Sequence, residues 1–302
     1  MGCPVNLIDL NKAFPTDDKC RELLVRLRFP EGPRCIRCKG EAVELETDKQ
    51  LFYCKACDYQ FTVTAGTVFN DSHLPLVNWF VATLLLCEAK KGISACQIQR
   101  TLGIGSYRTA WYLCHRIRSA MVESQKAMLD GVIEIDETYV GGKARRGLPR
   151  KEKQVVIGIR KRGGELRLIR VNQATSEEIK KVVAENVSED VEVIVTDESA
   201  IYPWAFSTNH KKLHKTINHS REYVSGDVHT NTVESAFSLF KRGVMGTWHR
   251  MSVKHLPAYL DEMVFRFNRR KNPNLFTDTL RHMVTAPVLT YEKLTAKKAA
   301  NF

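Results

Sequence analysis

Two C-x2-C pairs, Cys35/Cys38 and Cys54/Cys57, stand fifteen residues apart in a chain of 302, and no other feature narrows the possible folds as much. Tetrahedral coordination by four thiolates needs two tight knuckles and a short hairpin between them, and this spacing supplies both. The rival is a pair of redox dithiols, but neither pair opens a helix within a βαβ pattern. One structural Zn2+ on Cys35, Cys38, Cys54 and Cys57 is therefore expected. Its role is folding free energy, because four protein ligands leave no open position for chemistry. The total of nine cysteines is odd, and Cys3, Cys20, Cys87, Cys96 and Cys114 are scattered, which argues against a fully paired disulfide framework. Arg34, Arg37, Lys39 and Lys55 surround the pairs, either to touch phosphate or only to solubilise a small module.

Around this anchor the chain reads as four segments: an N-terminal helix plus ribbon over 1–70, helices over 71–130, a strand-rich domain over 131–272, and a C-terminal tail over 273–302. Thr16 caps a short helix, "TDDKCRELLVRLRF", with acids in its first turn and arginines in its last. The stretches "AVELE", "LFYC" and "QFTVTAGTVF" are β-rich. From Gly131, "GVIEIDETYV", "KQVVIGIRKRGG" and "ELRLIRVNQAT" read as strands, then "SEEIKKVVAENV" as a helix and "VEVIVTD" as a strand. The longest apolar stretch, Trp79 to Cys87, is far short of the ~20 residues of a membrane span. No leader is evident, so a soluble cytoplasmic protein with no membrane partner is expected.

The formal charge of +12, from 46 Lys+Arg against 34 Asp+Glu, favours a polyanionic partner. "GISACQIQRTLGIGSYRTAWYLCHRIRSAM" reads as two helices about a tight turn. Ser94 and Gln97 make a capping box, Gly103 and Gly105 bracket the turn, and Ser106 is placed to cap the second helix. In that helix Ala110, Leu113, Cys114, Ile117 and Met121 follow one buried face. Arg108, Thr109, Tyr112, Arg116 and Ser119 fill the other, the composition of a recognition helix for double-stranded DNA. An ordinary hairpin with a solvated basic face is the plainer alternative. Two further basic runs, Lys143 to Lys153 and His210 to Lys215, carry Lys143, Arg145 and Arg146 as candidate phosphate contacts.

Against this basic background "VIEIDETYVGG" is anomalous. Strand alternation sets Ile133 and Ile135 on one face and Glu134 with Asp136 on the other, and buried like charges demand partners. Asp197 ends a later strand, where an acid is out of place in a core. On the helix "NTVESAFSLFKRG" the stripe Val233, Ala236, Phe237 and Phe240 is apolar, while Glu234, Ser238 and Lys241 form a neighbouring row. Carboxylates converging from separate elements can hold hard divalent cations. Each acid also has a plainer reading: Glu134 and Glu137 as ion-pair partners, Asp197 as a turn cap, Asn231 with Glu234 as a capping box. His229 is read as a packing or solvent residue near Glu234.

Taken in order, these motifs resemble the DDE transposases of bacterial insertion sequences, specifically the zinc-ribbon-bearing insertion-sequence fifteen-ninety-five family and the related Merlin elements. The carriers are "CRELLVRLRFPEGPRCIRC", "YCKACDYQFTVTAGTVF", "KKGISACQIQRTLGI", "EIDETYVGGK", "VTDESAIY" and "HTNTVESAFSLFKRGVMGTWHRMSVKHLPAYLDEMVFRFNRR". Ile36 stands where the family often has Pro, and Phe29 where Trp is common. The resemblance implies an α+β multidomain chain, with zinc ribbon and helix-turn-helix followed by an RNase H-like α/β catalytic domain built on a mixed sheet. Asp136, Asp197 and Glu234 would be the catalytic triad, binding Mg2+ or Mn2+, and Lys241 would contact DNA phosphate. The implied activity is binding of terminal inverted repeats, strand cleavage and transfer to target DNA, by a homo-oligomer at the nucleoid. Two other classes stay open: a catalytically inactive DNA-binding regulator derived from a transposase, and an RNase H-like nuclease. The second would not need two DNA-reading modules.

Overall fold

The computed structural model describes residues 6–45, 50–123, 126–141, 153–217, 229–249 and 251–296. The chain divides into two compact units, Met1–Val122 with Arg269–Phe302, and Glu123–Asn268.

The first unit opens with α1 (Leu7–Ala13), where the Asn6 side chain accepts the Ile8 and Asp9 N–H groups. In α2 (Asp17–Arg28) the Thr16 hydroxyl accepts the Lys19 N–H, and the charges match the helix dipole as read from sequence. Strands β1 (Ala42–Glu44), β2 (Phe52–Cys54) and β3 (Gln60–Phe61) form an antiparallel sheet. Phe29 packs edge-on against Phe52 and Phe61. The β-rich "QFTVTAGTVF" is strand only at Gln60–Phe61. Beyond it the Thr67 hydroxyl donates to the Thr64 carbonyl and Asn70 accepts the Gly66 N–H, so local side-chain bonds override β propensity.

Three helices follow. α3 (Leu76–Glu88) is buried on most of its circumference, and α4 (Ala95–Leu102) and α5 (Tyr107–Ala120) make the hairpin. Ser94 caps α4 through the Gln97 N–H at 3.1 Å, and Gly103 ends it at φ 64°, a left-handed conformation that favours glycine. Ser106 stands at the N-cap of α5, yet its hydroxyl receives no helix N–H, so the expected cap is not made.

The second unit is built on β4 (Leu129–Val140), β5 (Gln154–Lys161), β6 (Leu166–Val171), β7 (Val187–Asp197) and β8 (His214–Ile217). Their order is β6-β5-β4-β7-β8, antiparallel through β6, β5 and β4, then parallel through β7 and β8. Between them lie α6 (Ser176–Asn186), α7 (Tyr202–Ala205) and α8 (Thr208–Leu213); after them come α9 (Asn231–Gly243), a π-helical turn at Val244–Trp248, and α10 (Leu256–Asn268). On one face Ile133, Ile135, Ile157 and Ile159 pack with Ile179 and Val183 of α6. On the other, Val156 and Leu168 pack with Val233, Ala236, Phe237 and Phe240 of α9 and with Met263 of α10. With both faces covered, β5 is buried from Val155 to Arg160 without alternation. This is the RNase H-like α/β unit with a mixed sheet.

The chain then returns to the first unit as α11 (Leu275–Thr285) and α12 (Tyr291–Thr295). Most of the described part of the expected C-terminal tail is thus helical, in α11 and α12. Phe276, Leu280, Met283 and Val284 recur at helical spacing and are buried, with Phe276 edge-on to Phe80 and Met283 under the Thr83 hydroxyl.

Candidate catalytic site and DNA-contacting surface

β4 and β7 run parallel as far as Glu134 opposite Val195, the last pair of their register, and Asp136 and Asp197 each lie two residues beyond it. The charge of Asp197 acts on the Asp136 carboxyl, so the two acids are electrostatic neighbours. An extra residue, Glu192, accommodates a register shift between Gly131/Val191 and Val132/Val193 and sets that phase. On the other flank Asp136 pairs with Gly158 of β5. A Cβ at Gly158 would lie 2.5 Å from the Phe237 ring and 2.7 Å from Val233, so the missing side chain is what lets α9 approach the sheet. Glu234 is the next residue after Val233 on α9, and its carboxylate accepts the Thr230 hydroxyl at 2.8 Å.

The acids sense one another. Burial first, then the charge of Glu137, pushes the Asp136 carboxyl up to about 7; the Glu137 N–H opposes this, while Asp197 and Glu234 add to it. Glu137 points to the opposite face, where it accepts the Tyr202 hydroxyl at 2.5 Å. Its carboxyl is raised by burial, with the Tyr202 bond opposing and Asp197 adding. One Asp197 oxygen accepts the Ser199 N–H at 3.1 Å, so the turn-capping role is also real. The carboxylates stand wider apart than the ribbon sulfurs, which alone among the described residues gather three or more potential ligand atoms within 4.8 Å of one another. The donor set is all oxygen, and its mutual repulsion is what a hard dication would relieve.

Glu134 answers the anomaly of the acidic strand. It is fully buried and paired, with Arg162 Nε at 2.8 Å and His229 Nδ1 at 3.3 Å, and it accepts the Thr232 hydroxyl and the Thr232 and Val233 N–H groups. The Asn231/Glu234 capping box is not formed: Thr230 is the N-cap. His229 packs beside Glu134, its Nδ1 within 3.3 Å of the carboxylate. Sequence reading did not single out Gly158, Thr230, Thr232, Arg162 or Tyr202; of these only Gly158 carried a signal, an isolated glycine in a strand.

Lys241 is exposed, two helical turns beyond Glu234 on the same face. On α5, Ala110, Leu113, Cys114 and Ile117 are buried as expected, as is Met121 at its C-cap, and Arg108 is exposed. Arg116 departs from the expected reading face. It is 3% exposed, donates to the Asn70 carbonyl and lies 5.1 Å from the Trp79 and Tyr112 rings, because a long guanidinium side chain can satisfy itself beneath a surface. Tyr112 donates to the Leu289 carbonyl at 2.5 Å, and Tyr291 of α12 packs edge-on to Tyr112 with Arg108 above its ring. Together with Thr109 these residues line a cleft of about 300 Å³. Lys143, Arg145 and Arg146 fall outside the described residues. In the second basic run Lys211, Lys212 and Lys215 are exposed, while His210 is buried against the Ser188 carbonyl.

In the ribbon, Cys35 and Cys57 sulfurs lie 3.6 Å apart and Cys38 and Cys54 sulfurs 3.4 Å, with all four mutually within 4.8 Å. A tetrahedron with Zn–S of ~2.3 Å requires sulfurs separated by ~3.8 Å, so the quartet fits. Lys39 and Asp58, each following the second cysteine of its knuckle, take left-handed φ of 63° and 53° that turn the chain back over the site. The eight described cysteines are all free thiols.

A cysteine-knuckle module and a helical hairpin are thus joined in one chain to an RNase H-like unit whose strands and flanking helix carry Asp136, Asp197 and Glu234. Residues 128–268 match the ISXO2-like transposase domain and residues 15–60 the transposase zinc-ribbon domain. The chain is also similar to the "uncharacterized protein in transposable element ISH50" of Halobacterium salinarum, 30% identical over 252 residues, covering 76% of this chain and 84% of that protein. It matches no solved structure. The chain belongs to the zinc-ribbon-bearing, ISXO2-like transposases of insertion sequences. No helix among the described residues is long and apolar enough to cross a membrane.

Proposed function

We propose that this transposase binds the terminal inverted repeats of its element and catalyses metal-dependent cleavage and transfer of DNA strands, with Asp136, Asp197 and Glu234 as the catalytic acids. The observation that supports the reading is electrostatic: the charges of both Asp197 and Glu234 raise the Asp136 carboxyl, and Gly158 beside Asp136 leaves room for the helix that bears Glu234. Mg2+ or Mn2+ held by these carboxylates would supply the Lewis acidity that activates water and stabilises a departing 3′ oxygen. The acids offer oxygen ligands from three elements. Glu137, turned to Tyr202 on the far face, steadies the strand beneath them. Water attacks the phosphodiester at the element's end and displaces a 3′ hydroxyl; that hydroxyl then attacks a phosphodiester of target DNA in the same site, forming the joint as the target's own 3′ oxygen leaves. No protein nucleophile is involved.

Lys241 is assigned to a DNA phosphate beside the reacting strand. Arg108 and Thr109, at the start of α5, are the side chains of the expected reading face best placed for DNA; Tyr112 and Arg116 are engaged within their own unit. Lys143, Arg145 and Arg146, with Lys211, Lys212 and Lys215, extend the phosphate-contacting set. Two element ends must be handled together, so a homo-oligomer is the working form, acting on chromosomal DNA in the cytoplasm.

The test is the set Asp136→Asn, Asp197→Asn and Glu234→Gln, each assayed for cleavage and joining of end-bearing DNA with Mg2+ or Mn2+. Loss of on the order of a hundredfold or more is expected from each, with DNA binding retained. A folded variant with full metal-dependent activity removes that acid from the assignment.

A further inference from the structure

We propose that Glu134 is a positioning residue for Glu234: its carboxylate caps α9 from the sheet and so sets where the third acid stands relative to Asp136 and Asp197. The inference rests on the catalytic reading of those three acids. Helices normally satisfy their first N–H groups with the side chain of their own N-cap residue. Here the N-cap is Thr230, and its hydroxyl is turned away to Glu234 Oε1 at 2.8 Å. The N–H groups of Thr232 and Val233 go instead to Glu134 Oε2, at 3.0 and 3.1 Å, with the Thr232 hydroxyl at 2.7 Å. The cap thus comes from a strand residue 98 positions earlier in the chain.

Oε1 of the same carboxylate takes Arg162 Nε at 2.8 Å, and Arg162 also donates to the His229 carbonyl at 2.9 Å, fixing the chain just ahead of the helix. Glu134 precedes Asp136 by two residues and shares its face of β4, and Glu234 directly follows Val233. A single buried carboxylate therefore ties the strand of the first acid to the helix of the third through short, directional bonds. A neutral amide cannot reproduce this. Its one acceptor oxygen serves either the helix or Arg162, and its NH2 then meets another donor. Stability alone would be met by a local cap at position 230; the hydroxyl there is used on Glu234 itself.

The experiment compares Mn2+ affinity of the full, zinc-loaded chain as wild type, Asp136→Asn and Glu134→Gln, with thermal melts alongside. Glu134→Gln is expected to weaken Mn2+ binding about tenfold or more while the protein stays folded, as loss of a supporting shell does. Strand cleavage at low Mn2+ should fall in parallel and recover in part at saturating Mn2+. A lowered melting temperature with unchanged Mn2+ affinity of the folded protein would make Glu134 merely structural and overturn the proposal. If Glu134→Gln does not fold, Thr232→Val decides: it removes one hydroxyl from the Glu134 oxygen, and weaker Mn2+ binding supports the assignment while unchanged binding refutes it. Failure of the catalytic reading has a different signature, in which Asp136→Asn binds Mn2+ as tightly as wild type.

Discussion

At Gly158 a hydrogen stands where any other residue would put a carbon 2.5 Å from the Phe237 ring. Gly158→Ala is expected to push α9 off the sheet, lowering stability by roughly 1–3 kcal/mol, the usual cost of overpacking. It should weaken strand cleavage although no acid is touched; denaturant melts and a cleavage assay on the same sample check both. Asp261 on α10 offers a pH test away from the site. Burial first, opposed by Lys126 and aided by Glu123, pushes its carboxyl from the ordinary 3.8 to about 6. Below 3.8 the folded and unfolded chains are both protonated there. Between that value and about 6 only the folded chain keeps the proton, so stability falls as pH rises, and above about 6 the penalty is complete. Asp261→Asn should therefore stabilise the second unit by up to about 3 kcal/mol at pH 7.5 and by little at pH 3.5, read as the difference in urea midpoints.

Helix α5 shows what periodicity can and cannot convey. The apolar stripe from Ala110 to Met121 was legible because core burial imposes its own spacing, but the opposite face holds two kinds of arginine that spacing cannot separate. Arg108 is exposed, whereas Arg116 is folded under Trp79 and bound to the Asn70 carbonyl. Arg108→Ala is thus expected to weaken end-DNA binding and reduce the slope of log affinity against log salt by about one, leaving the melt unchanged. Arg116→Ala should do the reverse, lowering the melting temperature by removing a buried, hydrogen-bonded charge. Strand β4 teaches a related lesson. Alternation put Glu134 on the face of Asp136, yet its donors at Thr232 and Val233 lie on an element whose distance in sequence hides the contact. The phase of Asp197 depends on the extra residue at Glu192, which no alternation rule in β7 anticipates. Local rules reach caps such as Thr16 and Ser94; partners in other elements are beyond them.

For the whole molecule, two compact units divide the labour: one carries the cysteine quartet and the helical hairpin, the other the acids. The charge of +12 suits a polyanion, and the acidic cluster is an island within it that a dication would neutralise. The motif at Cys35 to Cys57 was legible because metal chemistry restricts residue type and spacing more tightly than packing does. The fold of α11 and α12 was less so, since a short amphipathic helix is told from a tail only by what it covers. Everything functional turns on whether the three acids share a cation. The direct measurement is anomalous diffraction from crystals soaked in Mn2+, which should show density ~2.1 Å from carboxylate oxygens of Asp136, Asp197 and Glu234. Mn2+ bound elsewhere, with those three side chains unliganded at saturating metal, would contradict the account.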